Sequence, residues 1–416
     1  MLQAKPVTNI TNSKAPIIIA IFSLIFIILF SLVNLKLVSI GFILWGFGFW
    51  FNREKASLND LLSGINKWFI LYYLLLVAGM LWTDNQLFGL LKLENKLSFI
   101  LFPLLFTFSK LNISKDKILA VFILGLVMSL IVNYSIAIYH TCVLNIPLFD
   151  SFFNVNFAYF MHHSYYGHYL IIGSLIALDR LINRNATIVF LLLFFVFSLG
   201  VIQTLSKSAI LIYLLLIPLY FFWEMFTKKK YNLMVLGISF FIIFGYILIN
   251  TENSVSRRLN TIPISIEEFN SKDNPSIESN TARLIMWTTS LDLFKESFIA
   301  GSGTGDYDDV LYNRNMAYGN TGVAKQRLNS HNQFLNTAVQ LGIIGVIILS
   351  LLFFSGFRIT IKQKKSLFFF CLLCFLLNFL FESFLETQAG IVLFCVLLIS
   401  LISEKLNTNS NEIEYL

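Results

Sequence analysis

The sequence predicts an all-α polytopic membrane protein, with about 12 transmembrane helices and one large extracytoplasmic loop between spans 9 and 10. Three observations carry that prediction. Of 416 residues, 57% are hydrophobic and only 13% charged, with 44 phenylalanines, where a soluble domain carries about 25% charged residues. The apolar residues gather into stretches of bilayer length. The basic residues between them are dense in alternate separators and sparse in the others, as the positive-inside rule requires. The formal charge of +7 does not point to nucleic acid, because the basic residues are scattered between apolar runs instead of gathered in one domain.

A span needs roughly 20 apolar residues. The first candidate, 16–33, follows Lys5 and Lys14 and begins like a signal peptide. No small-residue cleavage site follows, and a second apolar run starts at once, so it reads as an uncleaved first span. Spans at 35–51, 67–82, 97–109, 118–139, 164–182, 187–202, 208–226 and 232–250 complete an N-terminal part, 1–250, in which 97–109 is the weakest because it is short and holds Pro103. Residues 251–332 form the large loop. The C-terminal part, 333–416, holds spans 333–356, 366–381 and 389–403 and a cytoplasmic tail.

With the N-terminus inside, the cytoplasmic loops receive Arg53, Lys55, Lys67, Lys110, Lys115, Lys117, Arg180, Arg184, Lys228 to Lys230, Arg358, Lys362, Lys364 and Lys365. Adding Lys5, Lys14 and Lys405 makes 18 of the 30 basic residues. Outside the long loop, the other side receives only Lys36, Lys92, Lys96 and Lys207, so the positive-inside rule fits one orientation. The segments 140–163, 203–207, 251–332 and 382–388 then converge on the extracytoplasmic face. Within the loop, 281–300 reads as an amphipathic helix.

Candidate chemistry lies on that face. Asn329 or Ser330 can cap a helix that places His331 in its first turn, where the positive end of the helix dipole favours a neutral imidazole, as a general base needs. Gly342 is eleven residues on, about three turns, so Gly342 and Gly345 would share a face with His331 and let another helix pack beneath it. An interfacial histidine above a small-residue seam fits the spacing equally well. Lys207 sits near the bilayer on the side poor in cations, which calls for an anionic partner. Arg283 begins the loop helix, and Arg257, Arg258, Arg314 and Arg327 add charge nearby. Such a set could hold a diphosphate, or pair with loop acids and lipid headgroups.

Met161 to His168 holds three of the five histidines and reads as an aromatic belt along a sugar path, with His163 and Tyr166 as contacts, in preference to a metal site. Asp306-Tyr-Asp308-Asp309 after Gly301-Ser-Gly-Thr-Gly305 could bind a divalent ion but reads better as a glycine turn with solvated acids. Glu382 and Glu386, one helical turn apart, would flank one face, either as a second acid/base group or as an interfacial cap. Cys371 and Cys374 form a CxxC inside an apolar span and read as buried packing.

His331-Asn332-x9-Gly342-x-x-Gly345 resembles the signature of the O-antigen ligase and polymerase family of bacterial membrane glycosyltransferases. Thr204-Leu-Ser-Lys207-Ser-Ala and Arg283-x-x-x-Trp287 followed by Gly301-x-Gly303-x-Gly305 extend the resemblance over roughly 160–400. Lys207 stands where the family usually has arginine, which keeps the charge but loses the bidentate fork.

The resemblance implies an inner-membrane protein with a periplasmic active face. It implies an undecaprenyl-diphosphate-linked glycan donor held by Lys207 and Arg283, with His331 as base. Asn332 and Glu382 would be glycan or acceptor contacts, and the acceptor a lipid A-core hydroxyl. It implies no metal and no cofactor, with inversion at the anomeric carbon. Consistently, the first external turn, Asn34-Leu-Lys36, lacks the acid that metal-using membrane glycosyltransferases place there. A polymerase joining lipid-linked repeats needs the same donor site and base. A polysaccharide or lipid transporter is less favoured, because two similar halves and mid-span charges are scarce.

Overall fold

The computed structural model describes residues 15–51, 56–109, 111, 113–183, 188–250 and 279–402. The first part of the long loop, with Arg257 and Arg258, lies outside the described residues, as do Lys5, Lys14, Arg53, Lys55, Lys110, Arg184 and Lys405.

Each of the predicted stretches coincides with a helix: α1 (Ala15–Val33), α2 (Val38–Phe51), α3 (Asn66–Gly79), then beyond a short extra helix α4 (Gln86–Asn95), α5 (Ser98–Phe108), α6 (Lys115–Cys142), α7 (His163–Asn183), α8 (Ile188–Gln203), α9 (Lys207–Thr227) and α10 (Tyr231–Asn250). The described part of the long loop supplies α11 (Ser279–Glu296) and α12 (Tyr307–Ala317). The chain then continues into α13 (Gln333–Lys362), α14 (Ser366–Phe379) and α15 (Gln388–Ile402). The helix expected at 281–300 is α11. Side-chain caps start several of these helices: Asn85 accepts from Phe88 N, Ser114 from Lys117 N and Ser206 from Ala209 N.

Among the described residues, four helices, α1, α6, α9 and α13, are long and apolar enough to cross a membrane by length and composition; α2, α3, α8, α14 and α15 are shorter apolar helices. At 1.5 Å per residue, a 14-residue helix such as α2 or α14 reaches about 21 Å, short of the ~30 Å hydrocarbon core. Among the described residues, the apolar stretches therefore outnumber the helices that span by length alone.

The interior is built around α7, which is buried along most of its length and packs against α6, α8, α9 and α14. Phe375, Phe379, Phe384 and Phe394 form an aromatic centre with ring centroids 5.1 to 5.9 Å apart. Cys371 and Cys374 are free and buried, as their apolar setting implies.

Hydrogen bonds sort the polar segments into two groups. One joins Asp84 and Asn85 to Asp306 and Asp309, Lys92 and Lys96 to Glu386, Tyr134 to Gln203, and Tyr165 to Ser383. The other joins Asp116 to Arg180, Asp179 to Tyr220, Glu224 to Ser366, and Lys228 to the Ile182 carbonyl. These groups follow the alternation of sides read from the charges.

One helix departs from expectation. A continuous α13 carrying His331, Gly342 and Gly345 on one face does not form. Gly342 has φ 64° and ψ −162°, which breaks the helix after Leu341. The groups freed by the break are taken up by the glycine turn: Ser302 N donates to Val339 O (2.8 Å), Gly303 N to Gln340 O (3.0 Å), and Ile343 N to Phe298 O (2.8 Å). Gly342 therefore packs against loop backbone and not against a second membrane helix.

A Cβ at Gly342 would sit 2.2 Å from Ile299 O, at a φ that L-residues rarely adopt. Gly342→Ala is expected to cost about 2–4 kcal/mol, read as a lower melting temperature of the purified protein. An unchanged melting temperature would contradict this packing.

The 333–341 segment is polar on its buried face, although it lies within a predicted apolar span. Gln333, Asn336, Thr337 and Gln340 are all fully buried. Gln333 accepts from Leu385 N (2.7 Å), Tyr72 shares a hydrogen bond with Thr337 (3.1 Å), and Gln340 donates to Thr304 O (2.7 Å). This stripe locks the start of α13 to α3, the glycine turn and the 380–387 turn, and so positions what lies just before it.

Candidate active site

His331 does not lie in the first helical turn. The helix starts at Gln333, and Asn332 is the N-cap, its side chain accepting from Leu335 N (3.0 Å) while donating to Leu380 O (3.1 Å). His331 precedes the cap with φ 44°, a left-handed backbone conformation. The neighbouring backbone holds that turn. His331 N donates to Asn329 Oδ1 (2.9 Å), and Ser330 N donates to the Tyr307 hydroxyl (2.8 Å). The Ser330 hydroxyl is shared with Tyr307 (2.6 Å) and Ser290 (2.8 Å). α11 and α12 thus fix the histidine from the loop side.

The ring meets Glu382, on the turn between α14 and α15: Nδ1 lies 3.2 Å from Oε2. The other carboxylate oxygen, Oε1, accepts from Arg283 Nη2 at 2.8 Å. Glu382 is thus a buried bridge between the loop helix and the entry to α13, with side-chain exposure of 3% against 22% for His331. Burial raises the Glu382 carboxyl, but the hydrogen bond with His331 and the charge of Arg283 outweigh it and hold the group at about 2, below the usual 4.5. Glu382 is therefore ionised at neutral pH. A carboxylate on Nδ1 selects the tautomer with the proton on Nδ1 and the lone pair on Nε2.

Glu382 and Glu386 do not share a role. Glu386 accepts from Lys92 Nζ (2.8 Å) and Lys96 Nζ (2.7 Å), and Lys92 also pairs with Asp308 (3.6 Å). Asp306 accepts from Asp84 N (2.8 Å) and Asn85 N (2.7 Å), and Asp309 from Asn85 Nδ2 (2.9 Å) and Arg327 (3.1 Å). The acidic run is thereby tied to backbone amides and cations. Arg314 pairs with Glu296, so Arg314 and Arg327 follow the loop-acid alternative.

Arg283 keeps something in reserve. Its Nε and the Trp287 Nε1, one turn apart on α11, are buried donors without a hydrogen-bond partner among the described residues. Lys207 opens α9 behind the Ser206 cap, buried and packed beside α7, where a Cβ on Gly167 would lie 2.8 Å from Ala209 Cβ. His163 starts α7 with its ring 4.3 Å from that of His162. Tyr166 is completely buried against Phe157.

His162 went unremarked in the sequence as an individual residue, yet it feels the charges of Glu382, His331 and Arg283. Burial pushes its ring below the usual histidine range, with Glu382 opposing. Tyr165 donates to Ser383 O (3.2 Å) beside it. Nothing in the spacing of His162 and His163 separates the two; the fold does, by bringing His162 near Glu382.

The family model described as O-antigen ligase matches residues 191–350, a segment containing Lys207, Arg283, His331, Gly342 and Gly345 but not Glu382. Among curated proteins, none matches the chain.

Proposed function

We propose that this chain, whose residues 191–350 match the O-antigen ligase family, is a glycosyltransferase that moves a glycan from an undecaprenyl-diphosphate carrier to a sugar hydroxyl of lipid A-core at the periplasmic face of the inner membrane. The observation that carries the reading is the His331–Glu382–Arg283 arrangement, with Nδ1 engaged by a buried carboxylate and Nε2 left to act.

In the reaction, the acceptor hydroxyl gives its proton to His331 Nε2 as its oxygen forms a bond to the anomeric carbon. The bond from that carbon to the diphosphate oxygen breaks, and the diphosphate leaves with the electron pair. One displacement inverts the centre and uses no metal or cofactor. Glu382 holds the ring and stabilises the imidazolium that develops. The unsatisfied donors at Arg283 and Trp287 suit oxygen acceptors such as the diphosphate, and Lys207 adds charge for the leaving group. His163 and Asn332 would lie along the glycan path. Tyr166, wholly buried, would support α7 from within.

Lys207→Arg is expected to retain transfer, and Lys207→Gln to lose about 10²-fold, as when one charge-stabilising group is removed. Equal activity of the two in a membrane transfer assay would remove Lys207 from the donor site.

A glycolipid gel after gene deletion tests the assignment of acceptor. Polymer accumulating on the carrier with bare core on lipid A supports ligation. Core with a single repeat supports a polymerase. An unchanged profile overturns both lipopolysaccharide readings.

A further inference from the structure

The far ends of the same helices enclose a cavity. α7, α9 and α13 carry the candidate active site near their N-termini; near their C-termini, together with the N-termini of α6 and α14, they surround about 870 Å³. Its lining is mixed in a specific way. Trp223, Leu119 and Phe368 give an apolar wall, and four charged groups beyond the Asp116–Arg180 ion pair (2.8 Å) face the space.

Two of those groups are carboxylates held by neutral donors. Asp179 accepts from the Tyr220 hydroxyl (2.7 Å) and Asn183 Nδ2 (2.7 Å), and buried Glu224 accepts from the Ser366 hydroxyl. The other two, Lys364 and Lys365, are exposed at the rim and make no ion pair among the described residues. Acids sit on α7 and α9, bases on the turn between α13 and α14. An apolar wall with a separated pair of anions and pair of cations is complementary to a molecule with acyl chains, a phosphate and an ammonium. The C-terminal ends of α7 and α9 favour a cation at the acidic side, and the start of α14 favours an anion beside Lys365. The half-exposed Trp223 indole is of the kind that settles at the level of lipid headgroups.

We propose that this cavity is a binding site for a zwitterionic phospholipid with a primary ammonium, of the phosphatidylethanolamine class. Its phosphate lies against Lys364 and Lys365, and its ammonium donates to Asp179 and Glu224. The site is at the membrane face opposite His331 and is independent of the transfer chemistry.

The test uses the full-length protein, purified in mild detergent and delipidated. Phosphatidylethanolamine, phosphatidylcholine, phosphatidylglycerol or inorganic phosphate is added, and bound lipid is counted by native mass spectrometry. Wild-type protein is expected to retain one phosphatidylethanolamine in preference to phosphatidylcholine, whose quaternary ammonium cannot donate, and to phosphatidylglycerol, which lacks the cation. A preference of about tenfold is expected, the worth of one charge-assisted hydrogen bond. The Lys364→Gln/Lys365→Gln double variant, altered only at exposed positions, is expected to lose that lipid. Asp179→Asn is expected to abolish the preference over phosphatidylcholine. Equal retention of all three lipids, stronger retention of phosphatidylglycerol, displacement by millimolar inorganic phosphate, or unchanged binding in the lysine variant would each overturn the proposal.

Discussion

Membranes carrying His331→Ala are expected to transfer glycan about 10²–10⁴-fold more slowly than wild type, the usual contribution of a positioned general base. Protein level and melting temperature should be nearly unchanged, because the side chain is partly exposed and its backbone is anchored through Ser330, Tyr307 and Asn329. Arg283 still neutralises Glu382 in the variant, so no buried charge is abandoned. His331→Gln, which keeps a polar side chain but no base, should be as slow as the alanine variant. Transfer at wild-type rate in either would show that the proton goes elsewhere.

Glu386→Gln is expected to act on stability instead. Its carboxylate is the shared partner of Lys92 and Lys96, and Lys96 has 1% side-chain exposure. Removing the negative charge leaves Lys96 with the Gln340 side chain (3.4 Å), while Lys92 keeps Asp308 (3.6 Å). Breaking a buried ion pair on one side costs about 3–5 kcal/mol, whereas replacing both partners is often close to neutral. The single variant should therefore express poorly or melt early, and Lys96→Met in the same background should recover much of the loss. A double variant no more stable than Glu386→Gln alone would mean that the carboxylate supports the 382–388 turn by some other contact. That turn also carries Glu382, so the cluster is a clamp beneath the candidate site.

What the sequence revealed and what it hid have distinct physical origins. Hydropathy and charge are one-dimensional, and they located the apolar helical stretches and the α11 helix but not the polar helices α4 and α12. The partners of charged groups are three-dimensional. Lys92 and Lys96 entered the sequence reading only as charges on the sparsely basic side, because nothing local shows that both face one glutamate 290 or more residues away. Glu382 and Glu386 looked equivalent at helical spacing, but the chain between α14 and α15 is a turn, so they diverge to different cations. His331 and Gly342 read as one motif on a continuous helix, but the helix starts only at Gln333 and is broken at Gly342. The positive φ at both residues is set by backbone contacts with the loop, through Asn329, Tyr307 and Ile299. A histidine before a cap and a glycine at a break give the same spacing as two residues on one helix face.

That His331 and Glu382 act as one unit is tested most directly by a double-mutant cycle. Transfer rates would be measured for wild type, His331→Ala, Glu382→Gln and the combination, in membranes matched for protein content. If Glu382 works through the imidazole, Glu382→Gln slows transfer on its own, and the double variant is no slower than His331→Ala. Losses that multiply in the double variant would contradict the account, because Glu382 would then serve the reaction without the histidine.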